Sequence, residues 1–167
     1  YVITAQQREL EEKANKIKTI IDELNNISNS RDDETDVTIY EGVEGVRAFQ
    51  GDILSSKVET VYELTSIEKV RKYLPPKFPG DARDSIGKKF TVKSLYAADG
   101  PIEGLSNDIN SKILDPKKYD IGAELVIYGN KVAFISYGQK LINIVIKNAD
   151  IARTIRTLFS ALWEKEK

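Results

Sequence analysis

The chain contains no cysteine, no histidine and no methionine. Without thiols there is no disulfide framework, no thiolate zinc site and no cysteine nucleophile. Without imidazole there is no histidine-based triad and no imidazole general base, and most transition-metal sites are excluded. The expectation is therefore no catalytic set, no metal and no cofactor. An excess of one charge is missing too: 25 Lys+Arg stand against 26 Asp+Glu, for a net charge of -1. That balance argues against strong overall attraction to nucleic acid or to an anionic membrane. No apolar run approaches the roughly 18 residues of a spanning helix, and no signal-peptide pattern opens the chain. A cytoplasmic protein with no membrane partner is expected. The first residue is Tyr1, and no methionine follows, so the chain reads as a fragment cut on its N-terminal side.

What is present is a chain of 167 residues, 41% apolar and 31% charged, enough for one domain with a sizeable core. The first segment is helical by period. Ile3, Leu10, Ala14, Ile17, Ile21 and Leu24 follow a heptad seam once polar Gln7 is allowed, with Glu and Lys residues around it. This predicts a linker or dimerisation helix over 1–28, with Leu10, Ala14, Ile17, Ile21 and Leu24 at the contact between two copies. Residues 29–36 are polar, acidic and aperiodic, and read as an exposed linker.

Residues 37–167 alternate strand and helix patterns and predict an α/β domain. Val37–Tyr40, Val58–Leu64 and Phe90–Tyr96 read as strands. Between them lie a helix carrying Val46, Phe49, Ile53 and Leu54, a second helix stopped by Pro75-Pro76, and a short third helix over Pro79–Lys89. This βαβαβ order implies parallel strands. Residues 97–120 read as a long loop able to close over a ligand, with Gly100 and Gly104 as hinges. Strands joined by tight turns come next, Gly129-Asn130 being a two-residue hairpin signal. The whole is a mixed sheet with flanking helices. A C-terminal helix starts at the N-cap Asn148.

Candidate chemistry is positional. In open α/β sheets, ligands sit outside the carboxyl ends of the strands. That singles out Glu41, Thr65, Ser66 and Asp99. Residues 67–93 hold eight basic side chains against three acidic ones. Among these Arg83 has the fork of donors suited to an anion. A polar or anionic effector near Glu41, Thr65, Ser66, Arg83 and Asp99 is expected. The turn Glu41-Gly42-Val43-Glu44-Gly45 could offer free N–H groups to an anion, but its two glutamates oppose that, and a simple tight turn is the favoured reading. No GxSxG elbow supports a hydrolase.

Four stretches taken in order resemble the TrmB-type transcriptional regulators of archaea and bacteria. Ile20-Ile21-Asp22-Glu23-Leu24-Asn25-Asn26-Ile27 is similar to the end of the family's linker helix. Ile39-Tyr40-Glu41-Gly42-Val43-Glu44-Gly45-Val46 is similar to its "iYeGkeGi" strand and helix start. Val126-Ile127-Tyr128-Gly129-Asn130-Lys131-Val132-Ala133-Phe134-Ile135 is similar to "iyGdkvaii", and Leu158-Phe159-Ser160-Ala161-Leu162-Trp163 to the closing "lFexLW". The resemblance implies a sensor domain of phospholipase D-like fold. The catalytic HxKxxxxD motif of that fold cannot occur in a chain without histidine. It further implies DNA contacts through a winged helix-turn-helix domain upstream of Tyr1 and a sugar as effector; the heptad seam implies a homodimer, and the basic excess of 67–93 extends the expected effector to a sugar phosphate. Two other functions remain open on the residues alone: a small-molecule enzyme using carboxylates or a tyrosine, and a plain oligomerisation module.

Overall fold

The computed structural model describes residues 35–74, 82–102 and 108–166, together with Thr19. The chain divides into two compact units, Tyr1–Glu34 and Thr35–Lys167. The expected dimerisation residues Leu10, Ala14, Ile17, Ile21 and Leu24 lie outside the described residues, as does Gly104.

The second unit is built on one seven-stranded mixed sheet. Its strands are β1 (Asp36–Glu41), β2 (Thr60–Ser66), β3 (Thr91–Ala97), β4 (Ser111–Leu114), β5 (Ala123–Tyr128), β6 (Lys131–Ser136) and β7 (Ile142–Lys147). The helices are α1 (Gly42–Ser55), α2 (Ile67–Tyr73), α3 (Arg83–Lys89) and α4 (Ala149–Lys165). The mixed α/β architecture and the C-terminal helix are as the sequence implies.

The strand order is β1-β7-β6-β5-β2-β3-β4. The pairs β2–β3 and β3–β4 are parallel. The pairs β1–β7, β6–β7, β5–β6 and β2–β5 are antiparallel. Hence β1 runs in the same direction as β2 and β3 but does not touch β2, because β5, β6 and β7 lie between them. The stretch 97–120 also differs from the expected loop. Residues 111–114 form the edge strand β4, and the Ala98 amide donates to the Leu114 carbonyl. A strand of four residues with one buried side chain, Leu114, carries too little periodicity to be read from sequence.

Alternation sorts the sheet's side chains into two cores. One face packs Val61, Val126, Tyr128, Ala133, Ile135 and Val145 against Val46, Phe49 and Ile53 of α1, Leu74 and Ile86. The other packs Leu95, Leu114, Ile127 and Val132 against Ala152 and Phe159 of α4. Helix α1 must come close to the strand it follows. A Cβ on Gly45 would lie 2.7 Å from the Tyr40 Cβ, so no larger residue fits without movement. The β5–β6 hairpin turns at Gly129 with φ +58°, a left-handed conformation that glycine adopts at little cost. The Asn148 side chain caps α4, accepting from the Ile151 amide at 2.9 Å, as its position before the helix predicts.

Candidate functional site

Thr65, near the carboxyl end of β2, is buried at 3% exposure. It shares the α1–α3 face of β2 with Glu63, two residues earlier. Opposite Glu63 on β3 is Ser94, whose hydroxyl donates to the Glu63 carboxylate. On the other side, β5 brings Glu124 beside Thr65, and the Thr65 hydroxyl donates to Glu124 Oε2 at 3.5 Å. The Tyr137 hydroxyl, just past β6, donates to the same oxygen. Five polar side chains from four strand segments thus meet on one sheet face, near its carboxyl edge.

The electrostatics of this cluster are unusual. Burial pushes the Glu124 carboxyl up to about 8, and the neighbouring Glu63 charge adds to that rise. The Tyr137 hydrogen bond and the positive charge of Arg83 oppose it. Tyr137 is held well above the ordinary tyrosine range, first by burial and then by the Glu124 charge. A carboxyl raised to about 8 keeps its proton at neutral pH. Glu124 is then a donor as well as an acceptor. The Thr65, Ser94 and Tyr137 hydroxyls donate to the two glutamates, and the Arg83 charge acts on Glu124; groups of these types are those that recognise a polar, hydroxyl-rich molecule.

The five expected site residues do not all converge. Thr65 is in the cluster, and the Arg83 charge reaches it because α3 starts at the carboxyl edge and runs back along the sheet. The Ala82 amide, just before α3, is held by Gln50 Oε1 of α1 at 3.1 Å. Ser66 falls on the opposite face from Thr65, since successive strand residues alternate. Glu41 lies at the same edge as Thr65 but four strand positions away, about 19 Å at the usual strand spacing. Asp99 is exposed beyond the end of β3. Glu63, Glu124, Ser94 and Tyr137 were missed. The available signal was a glutamate at an inward position of an otherwise apolar strand, in Val61–Leu64 and again in Glu124–Tyr128.

Other expected features resolve into packing. The Gly42 amide donates to the Leu141 carbonyl at 2.8 Å, so the turn before α1 is a tight connection and that N–H is not free for an anion. Several of the described basic side chains of 67–93 are engaged in packing. Lys69 donates to the Gly122 carbonyl, Lys89 donates to the Leu54 carbonyl, and Lys93 stacks over the Trp163 ring. In the 97–120 segment the described parts are pinned rather than free to close. The Ser94 amide donates to the Asn110 carbonyl, and the Tyr119 hydroxyl donates to Glu166. Among the described residues no group of three or more acidic side chains could hold a metal ion.

No protein-family model matches the chain, and neither does any curated protein. Solved structures do. TrmBL2, an archaeal chromatin protein with a novel mode of DNA binding, superposes with a TM-score of 0.53 at 14% identity, over 100% of this chain and 68% of its own. Nuc from Salmonella typhimurium, a phospholipase D family member, gives 0.55 at 13% identity, over 80% of this chain and 97% of its own. NucT from Helicobacter pylori gives 0.52 at 11% identity, over 78% of this chain and 97% of its own. At these identities the likeness establishes a shared fold, of phospholipase D type.

Proposed function

We propose that residues 35–167 are the non-catalytic effector-sensing domain of a transcriptional regulator of TrmB type, which acts as a homodimer and makes its DNA contacts through a separate domain. The observation that carries this reading is the Glu63–Glu124 pair with Thr65, Ser94 and Tyr137. It is a proton-holding, hydroxyl-rich cluster at the carboxyl edge, with Arg83 for an anionic group. The fold shared with TrmBL2 supports it. The absence of histidine from the sequence rules out the HxKxxxxD chemistry of phospholipase D enzymes in this chain. The mechanism is linkage. An effector that binds one arrangement of the dimer more tightly shifts the population toward it. The spacing of the two DNA-reading domains then changes, and with it operator affinity. The effector class is a sugar or sugar phosphate.

A thermal-shift screen of sugars, sugar phosphates and nucleotides, followed by calorimetry, tests this. A charged hydrogen bond contributes about 1.5–3 kcal/mol. Arg83→Ala is therefore expected to weaken a sugar phosphate about tenfold to a hundredfold at about 1.4 kcal/mol per decade. Thr65→Ala should weaken neutral and anionic sugars alike. Unchanged affinity in both variants would move the site elsewhere, and turnover of a bound compound would make the domain an enzyme.

A further inference from the structure

The Glu63–Glu124 cluster is shut. Thr65 and Ser94 are 3% and 5% exposed, and the Thr65, Ser94 and Tyr137 hydroxyls are spent on the two glutamates. A molecule that binds there has to replace those bonds, and it has to pass what covers them. Among the described residues three helices lie on this face of the sheet, and two of them are fixed. Helix α1 buries Val46, Phe49 and Ile53, and its Gly45 presses against Tyr40. Helix α3 buries Ile86, and the amide before it is held by Gln50 of α1.

Helix α2 is held differently. None of its seven residues is buried, and Ser66 before it makes no side-chain cap bond. Its course is set by three points. It leaves β2 at Ser66. Lys69 donates to the carbonyl of Gly122, directly before β5, through an exposed hydrogen bond of 3.1 Å. The Tyr73 ring stacks on that of Tyr137, directly after β6, with ring centres 6.2 Å apart. Strands β2, β5 and β6 are successive neighbours in the sheet, and Ala123 pairs with Ser136 at its carboxyl edge. A seven-residue helix is about 10 Å long, and two strand spacings are about 10 Å. Helix α2 therefore runs along the carboxyl edge from β2 to β6. Val70 and Tyr73 pack toward the α1-side core, the face that carries Glu63, Thr65 and Glu124, so α2 roofs the cluster. Few apolar contacts and solvent-exposed ties place a segment at the low end of local stability.

We propose, on the effector reading of this cluster, that α2 is the lid of the site and lifts to admit the ligand while the sheet, α1 and α3 stay in place. The lid is a strap anchored at both ends, by Ser66 in the sheet and by Leu74, which is buried at 4% exposure. Unwound, seven residues reach about 23 Å, more than twice what they span as a helix, so α2 has the slack to lift without moving either anchor. Tyr137 is the latch. Its ring supports Tyr73 of the lid, and its hydroxyl donates to Glu124 beneath. A ligand that takes the Glu124 bond from Tyr137 frees the ring on which the lid rests, and occupancy of the site is thereby coupled to the position of α2.

The chain has no cysteine, so one introduced thiol in the full chain reports one place. Thr65→Cys puts it under α2. Val61→Cys puts it on the same strand and face, at a core position 2% exposed. Ile109→Cys, at a position 90% exposed, gives the rate of an open site. The probe is methyl methanethiosulfonate, with labelling followed by mass spectrometry and folding checked by circular dichroism. Thr65→Cys should react more slowly than Ile109→Cys and at a rate flat in low urea, because lifting a lid exposes little surface. The Val61→Cys rate should climb with urea, as global unfolding does. Tyr73→Ala should speed Thr65→Cys labelling about two- to tenfold, the worth of a stacked aromatic pair. Lys69→Ala, which cuts the tie to Gly122, should act in the same direction and serves if Tyr73→Ala does not fold. Phe159→Leu, in the core of the other face, should speed Val61→Cys and leave Thr65→Cys unchanged, since that core stays intact when only the lid is open. A Thr65→Cys rate that climbs with urea as that of Val61→Cys does, that equals that of Ile109→Cys, or that ignores both Tyr73→Ala and Lys69→Ala overturns the lid. No effector enters these measurements, so an empty compound screen would remove the effector and leave the lid standing.

Discussion

Glu124 couples the candidate site to pH. Its carboxyl titrates at about 8 in the folded chain against an ordinary value of 4.5. Below the lower value both folded and unfolded chains carry the proton, and its contribution to stability is fully present. Between the two values the folded chain keeps a proton that the unfolded chain has released, so stability falls as pH rises, by at most about 1.4 kcal/mol per pH unit. Partial exposure of Glu124 lessens the shift and so narrows that pH range. Above the higher value the dependence ends. Glu124→Gln keeps an acceptor for Tyr137 and cannot ionise. Its melting temperature should match that of the parent near about pH 5 and exceed it near about pH 9; parallel curves for the two proteins would mean that Glu124 is already ionised in the fold. The same residue shows why the site was only partly readable. Thr65 and Arg83 could be picked from a strand end and a donor fork. Glu63 and Glu124 meet only because β2 pairs with β5, a partnership that no local pattern specifies.

At the scale of elements, the sequence was most readable where one residue's chemistry decides a boundary. Asn148 caps α4, Gly129-Asn130 turns a hairpin, and Val46, Phe49 and Ile53 fall on the buried side of α1 as their spacing requires. It was least readable at β4, where pairing with β3 makes a strand of residues with little pattern of their own. Helix α1 offers a comparison of two glycines. At Gly45 a methyl group would meet the backbone and Cβ of Tyr40, and overpacking of this kind costs about 1–3 kcal/mol. At Gly51, exposed on the same helix, nothing lies within 4 Å of the added atom, and alanine is favoured over glycine in a helix by about 0.5–1 kcal/mol. Urea unfolding should therefore show Gly45→Ala destabilised and Gly51→Ala stabilised. Equal shifts of the same sign would show that α1 does not press on β1.

For the whole molecule, helix and strand types could be read along the chain, but the order of strands could not. Three connected strands running in one direction suggested neighbours, and β7, β6 and β5 were inserted between the first two by pairings that depend on the complete chain. The far edge of the sheet, β4, is held by a clamp at the end of the last helix. Lys112 of β4 donates to the carbonyls of Trp163 and Glu166 at 2.8 and 2.6 Å, and its ammonium lies 4.8 Å from the centre of the Trp163 ring. The last carbonyls of a helix have no partners within it and carry partial negative charge, so the half-buried Lys112 satisfies them and suits the dipole. Lys118 and Tyr119 add hydrogen bonds to the Glu166 carboxylate. They hold the Glu166 carboxyl below its ordinary range, the Tyr119 bond being the larger cause, and the Lys118 ammonium is held above its own, first by its hydrogen bond with Tyr119 and then by Glu166. Lys112→Met keeps much of the stem and removes the charge. It should cost about 1.5–3 kcal/mol, the range for hydrogen bonds to charged groups, and the loss should concentrate at this edge. Trp163 is the chain's single tryptophan, so its fluorescence reports the clamp alone. The expected outcome is a red-shifted emission and faster amide exchange across 111–114, with exchange in β5 and β6 changed only by the global loss of stability. An unshifted Trp163 spectrum with uniform exchange would mean that β4 is held by its pairing with β3 and needs no clamp.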